Sequence, residues 1–215
     1  MGISETMGKK SHSGPLCTGT LLQNSLYKIN FAIGSGTFGD LYSATEIKNG
    51  KLCAIKVEST KLKRPQLVHE QKIYKILEGG TRVPDCYLFA STENFNFLIM
   101  EHLGPSLEDL FVICRRNFSA HTIILLADQM LRGVEWMHSR RLIHRDIKPD
   151  NFVMGLGENS DKVYLVDFGL SKFYVDLKTN DHIPLKYSGF VRFLNRLHWR
   201  INFYQGTSPS VNLCM

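Results

Sequence analysis

Disulfide chemistry is scarce in this chain. Its 215 residues hold five cysteines: Cys17, Cys53, Cys86, Cys114 and Cys214. The number is odd and no pair has C-x-x-C spacing, so there is no case for a disulfide framework or a zinc ribbon. That usage fits a reducing compartment, cytoplasmic or nuclear. No apolar run approaches the roughly 20 residues that cross a bilayer. No secretory signal pattern opens the chain. Acidic residues are missing from 185–215, where Lys186, Arg192, Arg196 and Arg200 stand. That stretch carries four of the six net positive charges, so the remainder is nearly balanced. An excess this mild reads as solvated surface. Phe190, Phe193, Trp199, Phe203 and Tyr204 interleave with those arginines, and they read as misplaced core residues. No nucleic-acid partner is expected.

With 43% hydrophobic residues the chain can fill a globular core. Residues 1–24 are rich in Ser, Gly, Lys and Thr, lack periodicity, and read as a flexible leader. Met1-Gly2-Ile3-Ser4-Glu5-Thr6 also fits the loose myristoylation pattern. A membrane would be a partner only through that lipid, and the plain leader is the expected reading. Short β-type runs follow at 27–33, 41–45 and 52–57, with Asn49-Gly50 as a hairpin signal between the last two. Pro65 suits the first turn of a helix in which Leu67, Glu70, Tyr74 and Leu77 recur, and Gly79-Gly80 ends it. Two more strands are expected at 87–90 and 95–100. Ser106-Leu107-Glu108-Asp109 reads as a helix cap. A long helix over 119–138 should bury Ile123, Leu126, Ala127, Met130, Val134 and Met137. Trp136 reads as a plain core aromatic. Two short strands, at 152–154 and 163–166, bracket a loop.

Three sets of residues carry chemistry. Gly34-Ser35-Gly36-Thr37-Phe38-Gly39 is G-x-G-x-x-G, which alone fits a dinucleotide fold, an ordinary hairpin or a phosphate-covering loop. Here Asp40-Leu41-Tyr42-Ser43-Ala44 continues as a strand, which favours a hairpin whose backbone N–H groups can close over phosphate oxygens. Lys56, in Ala54-Ile55-Lys56, lies on an apolar strand where an unpaired ammonium is costly. Glu70, 14 residues on, lies in the inward stripe of the next helix and is the expected partner. Finally, His144-Arg145-Asp146-Ile147-Lys148-Pro149-Asp150-Asn151 fits H-R-D-x-x-x-x-N, and Asp167-Phe168-Gly169 is D-F-G. In this pattern Asp146 orients a substrate hydroxyl and Lys148 offsets charge on a moving phosphoryl group. Asn151 and Asp167 offer oxygens suited to magnesium. His144 is expected to serve packing and hydrogen bonding in the core.

These motifs resemble the eukaryotic protein kinases. Several segments are similar to the casein kinase I family: Val57-Glu58, Pro65-Gln66-Leu67, Tyr74-Lys75-Ile76-Leu77-Glu78-Gly79-Gly80, Leu103-Gly104-Pro105-Ser106-Leu107-Glu108-Asp109-Leu110-Phe111, and Asp181-His182-Ile183-Pro184. The resemblance covers residues 27–184. It implies an α+β, bilobal fold with a five-stranded antiparallel N-lobe bearing one helix, and an incomplete, mainly helical C-lobe. It implies a monomeric serine/threonine kinase that uses ATP and Mg2+ on acidic or already phosphorylated protein substrates. The nucleotide would be lined by Ile33, Gly34, Ser35, Gly36, Thr37, Phe38, Gly39, Asp40, Leu41, Ala54 and Lys56. Met100 would stand at the back of that pocket, with Glu101, His102 and Leu103 as a hinge. Arg145 would partner a group in the segment after Gly169.

The similarity fades past Pro184. Ser188-Gly189-Phe190-Val191-Arg192-Phe193 weakly matches the family's T-G-T-A-R-Y, and Arg192 would then be an anion-binding arginine. The expected boundaries are 1–24 for the leader, 25–103 for the N-lobe, 104–194 for a partial C-lobe and 195–215 for a divergent tail. That tail reads as a foreign ending, from a frameshift or an alternative exon. The family's next helix is expected to be missing, leaving Ile123 and Met130 uncovered. Each uncovered large side chain forfeits roughly 1.5–3 kcal/mol, against a domain stability of about 5–15 kcal/mol. Impaired catalysis is therefore expected. The alternative is a non-catalytic module that binds nucleotide or a partner.

Overall fold

β-branched and aromatic residues recur along short runs in the first half of the chain, and these runs build one curled antiparallel sheet. The structure, a computed structural model, describes residues 15–36 and 39–184. Its strands are β1 (Leu21–Leu22), β2 (Tyr27–Gly36), β3 (Gly39–Glu46), β4 (Leu52–Ser59), β5 (Cys86–Ser91) and β6 (Phe95–Glu101), in the order β1-β2-β3-β4-β6-β5. The sheet has six strands, not the expected five. The addition is β1, where Leu21 and Leu22 pair with Lys28 and Tyr27. Two residues show no alternation, so nothing in the sequence marked this strand inside the supposed leader.

Alternation along β4 decides the architecture. Cys53, Ile55 and Val57 join Tyr27, Ile29, Tyr42, Ala44, Phe97 and Ile99 in a core on one sheet face. Ala54 turns to the opposite face, into a second core with Leu98 and Met100. Helix α1 (Leu67–Leu77) supplies Leu67, Ile73, Tyr74 and Leu77 to that second core. Pro65 lies before this helix, because Gln66 is its N-cap. Glu70 sits in the same buried stripe, 1% exposed.

The second core continues through the helical half. Helix α2 (Leu107–Ile113) starts on the expected cap: Ser106 accepts from the Asp109 amide and Asp109 reaches back to the Ser106 amide. Helix α3 (Ala120–Ser139) is capped by Ser119. Four short strands complete the frame. β7 (Leu142–Ile143) pairs with β10 (Lys172–Phe173), and β8 (Phe152–Met154) pairs with β9 (Val163–Leu165). The pairing of β7 with β10 left no sequence signal. Leu107, Met137, Leu142, Phe152, Leu165 and Phe168 share one apolar cluster with α1 and the sheet.

Of the two expectations for Ile123 on α3, burial in the apolar stripe fails and exposure holds. Ile123 is 54% exposed, and Ile124, Leu125 and Leu131 are exposed with it. Leu126, Met130 and Val134 are only partly buried against the core, whereas Met137 is fully buried. The fully buried positions of α3, Gly133 and Met137, lie in its C-terminal half; among the described residues nothing covers its outer face. None of the described helices is long and apolar enough to cross a membrane.

A second compact unit begins at Tyr174. Its described part, 174–184, is a tight turn closed by the Val175–His182 bridge and by the Ile183 amide on the Tyr174 carbonyl. Asp176 Oδ1 accepts from the Lys178 and Thr179 amides within it. The residues expected to form the divergent tail, including Arg192, lie outside the described residues, as do residues 1–14 with the lipidation pattern.

Trp136 does more than fill space. Its Nε1 donates to the Leu77 carbonyl at 3.0 Å, satisfying a C-terminal acceptor of α1 from α3. Gly80 makes room for the indole: a Cβ there would lie 2.2 Å from Nε1. Gly80→Ala should therefore displace the indole and lower stability by about 1–3 kcal/mol, with the urea midpoint as the readout. A midpoint equal to that of the wild type would contradict this packing.

Candidate active site

Lys56 follows from its strand. The period of β4 places it on the face of Ala54, toward α1, where its ammonium has two carboxylate partners. Nζ lies 2.7 Å from Glu70 Oε2 and 3.0 Å from Asp167 Oδ1. Glu70 is buried on α1, and Asp167 stands just after β9. The three groups thus tie the sheet, the helix and the D-F-G segment together. Burial works against the Lys56 charge, but the two carboxylates outweigh it and hold its pKa above the ordinary lysine value. Burial also pushes the Glu70 carboxyl up, with Lys56 opposing. For Asp167 burial is again the largest influence, yet Lys56 reverses it and holds the carboxyl below its ordinary value.

The 144–151 segment assembles a second cluster. Lys148 Nζ lies 2.8 Å from Asp146 Oδ2. Asn151 Nδ2 donates to the Asp146 carbonyl at 2.7 Å and to Oδ2 at 3.2 Å. Asn151 is held by a 3-10 turn, Pro149–Asn151, that leads into β8. The β8–β9 hairpin then closes with the Val166 amide on the Asn151 carbonyl at 3.0 Å. This backbone bond sets Asn151 beside the residue preceding Asp167. Asn151 and Asp167 are oxygen donors of the kind magnesium takes with water and phosphate. The donor set fits such an ion, and no cluster of three His, Cys, Asp or Glu competes for it among the described residues.

His144 and Phe168 join the two clusters. Phe168 is fully buried, edge-on to Tyr74 of α1 at 4.9 Å and to His144 at 5.5 Å. The His144 ring donates from Nε2 to the Val166 carbonyl at 2.9 Å and accepts the Asp146 amide at Nδ1, 3.3 Å. That pattern needs the neutral ring, and burial lowers its pKa accordingly. Asp167 has φ 65° and Arg145 φ 70°, both in the left-handed region that non-glycine residues seldom occupy. The strain sits in the two segments that carry the charged groups. Arg145 Nε donates to the Leu170 carbonyl, so its partner is in the segment after Gly169.

The glycine-rich segment is a hairpin: β2 ends at Gly36, β3 begins at Gly39, and the two pair. No helix follows, so the dinucleotide reading is excluded. Gly39 has φ 129°, and a Cβ there would lie 2.3 Å from the Val57 carbonyl oxygen. Only glycine fits that crossing over β4. Gly34, Ser35 and Gly36 face Leu41, Asp40 and Gly39 across the hairpin, and Ile33 is exposed. Thr37 and Phe38 lie outside the described residues. Leu41 pairs with Lys56, and Ala54 with Met100. Met100 Sδ accepts from the Tyr74 hydroxyl at 3.8 Å. Glu101 closes β6, with its amide on the Asp85 carbonyl. His102 and Leu103 follow, and the Gly104 amide then bonds the Met154 carbonyl of β8. The described candidate residues therefore lie on β2, β3 and β4, on β6 and just after it, on α1, and on the segments that flank β8 and β9.

The sequence reading passed over three residues here. Glu58 binds the start of α1 through its carboxylate. His69 Nε2 meets the Ser171 carbonyl at 2.8 Å, linking α1 to the segment after D-F-G. Gln129 of α3 holds the loop between β8 and β9 through the Asp161 carbonyl and the Val163 amide, both at 2.9 Å. Glu58 carried a usable signal, being two residues from Lys56 on the same strand. The other two rest on long-range placement alone.

With this geometry in view, the sequence matches the model of the protein kinase domain over residues 27–188. The chain belongs to the protein kinase family.

Burial lowers the pKa of both His144 and His102. As pH falls through about 6.5, the unfolded chain takes up protons that the folded chain refuses, so stability falls. Asp167 adds a further loss at lower pH, as its depressed carboxyl is protonated. Urea unfolding at pH 7.5 and 5.5 should show the first loss. A His102→Gln/His144→Asn chain should show a flatter profile between those pH values, and an unchanged slope would contradict the assignment.

Proposed function

We propose that this chain is a serine/threonine kinase of the casein kinase I type. It takes MgATP between the sheet and the loop segments and acts on acidic or already phosphorylated protein substrates. The carrying observation is the double cluster: Lys56 held by Glu70 and Asp167, beside Asp146 bonded to Lys148 and Asn151. Magnesium, when bound, screens the phosphate oxygens so that an alcohol can approach. Asn151 and Asp167 are the residues to hold it. Lys56, with its charge secured by the Glu70 and Asp167 carboxylates, is placed to hold the α- and β-phosphates. The backbone of the 34–39 hairpin covers them. Met100 lies behind the adenine, and the backbone of Glu101, His102 and Leu103 binds its edge.

In the reaction the substrate oxygen forms a bond to the terminal phosphorus, and the bond to the bridging oxygen breaks. Asp146 orients the hydroxyl and takes its proton. Lys148 now neutralises Asp146; with substrate present its ammonium can turn to the transferring group. Most of the rate gain is positioning and charge complementarity, so each group matters through its placement.

One observation favours a second reading, nucleotide binding with weak or absent transfer. Ile123, Ile124, Leu125 and Leu131 present an apolar face on α3, the helix that packs under β9. Uncovered side chains of this size leave roughly 1.5–3 kcal/mol each unrealised.

The test is transfer of labelled phosphate from MgATP to casein by the purified chain. Asp146→Asn should slow transfer by about 100-fold or more. Transfer that survives this substitution would overturn the mechanism. Upward thermal shift with MgATP but no transfer would favour the second reading.

A further inference from the structure

Helix α1 begins without a cap of its own. Gln66 occupies the N-cap position at φ −108°, ψ −24°, and its side chain makes no capping bond. The amides at this end are satisfied from the sheet instead. Glu58 Oε1 accepts from the Gln66 amide at 2.6 Å and the Leu67 amide at 3.2 Å, and Oε2 accepts from Leu67 at 3.1 Å. Glu58 is 1% exposed. A carboxylate so buried needs this compensation, and the positive end of the helix supplies it.

The position of Glu58 gives the contact a second consequence. Glu58 follows Lys56 by two residues on β4, roughly 7 Å along the strand and on the same face. Leu67 precedes Glu70 by three residues on α1, roughly 4.5 Å along the helix. The strand and helix are therefore joined by two parallel rungs, Glu58 to the first turn and Lys56 to Glu70. One rung alone is a pivot, about which α1 can swing with its far end held by Trp136. Two rungs fix its rotation. The same turn also abuts the D-F-G segment, since a Cβ on Gly169 would lie 2.8 Å from Gln66 Oε1.

We propose that Glu58 is a positioning residue for phosphoryl transfer: it sets the register of α1 so that Glu70 meets Lys56, and it touches neither nucleotide nor substrate. The assignment rests on the kinase reading for its effect on rate, and on the geometry alone for its effect on α1.

The experiment compares the full chain with Glu58→Ala, Glu58→Gln and, as a control in the opposite core, Ile29→Val. Amide hydrogen exchange is followed at Leu67 and through residues 70–77, and transfer from MgATP is measured in parallel. In Glu58→Ala, protection over 67–77 should fall with the sheet protected as before. The kcat should drop by about 100-fold, with KM for ATP changing much less. Glu58→Gln keeps an acceptor oxygen and should restore most of both. Ile29→Val should lower the melting temperature and leave kcat and α1 protection unchanged. Unchanged α1 protection in Glu58→Ala overturns the proposal, as does an Ile29→Val chain that loses kcat in proportion to its stability. If the wild-type chain transfers no phosphate, the kinase reading fails, and the exchange data alone decide for or against Glu58.

Discussion

A single ammonium group organises this molecule. Lys56 leaves the centre of a sheet and enters a largely enclosed space, its side chain 17% exposed. It survives there because Glu70 and Asp167 arrive from two other parts of the chain. Removing one partner of such a buried pair is strongly destabilising, since the other charge is left without compensation. The helix must therefore present Glu70, and the segment after β9 must present Asp167, for the sheet to keep its lysine. A local electrostatic requirement becomes a constraint on three elements.

Apolar packing makes that constraint affordable. The cluster beneath the sheet runs without a break from Ala54 and Leu98, through α1, to Met137, Phe152 and Phe168. Phe168 is its centre, touching Tyr74 on one side and the neutral His144 on the other. His144 in turn orders the backbone on both sides of the charged groups, at Asp146 and Val166. Strained backbone at Arg145 and Asp167 is tolerated because these neighbours over-determine it. The two clusters of charge are thus held by one piece of core.

Much of this was legible in the sequence. The alternation of β4 and the helical stripe of α1 were enough to pair Lys56 with Glu70. A strand after Gly39 distinguished a hairpin from a dinucleotide turn. The Ser106 cap was readable because capping is a local matter of side-chain oxygen and nearby amide. The failures share a physical origin in distance. β1 has two residues, too few for a period. Trp136 and His69 act on partners 59 and 102 residues away, and their identity as polar or aromatic residues says nothing of that. Ile123 fits the helical stripe perfectly, yet a stripe states only that a face is apolar; what covers it depends on other elements.

The most direct measurement is a double-mutant cycle in urea unfolding with Lys56→Met, Glu70→Gln and the pair together. If Lys56 is the shared cation of this core, Lys56→Met strands a buried carboxylate, and adding Glu70→Gln relieves it. The double variant should then be more stable than Lys56→Met alone. A double variant whose loss equals the sum of the two single losses would contradict the account.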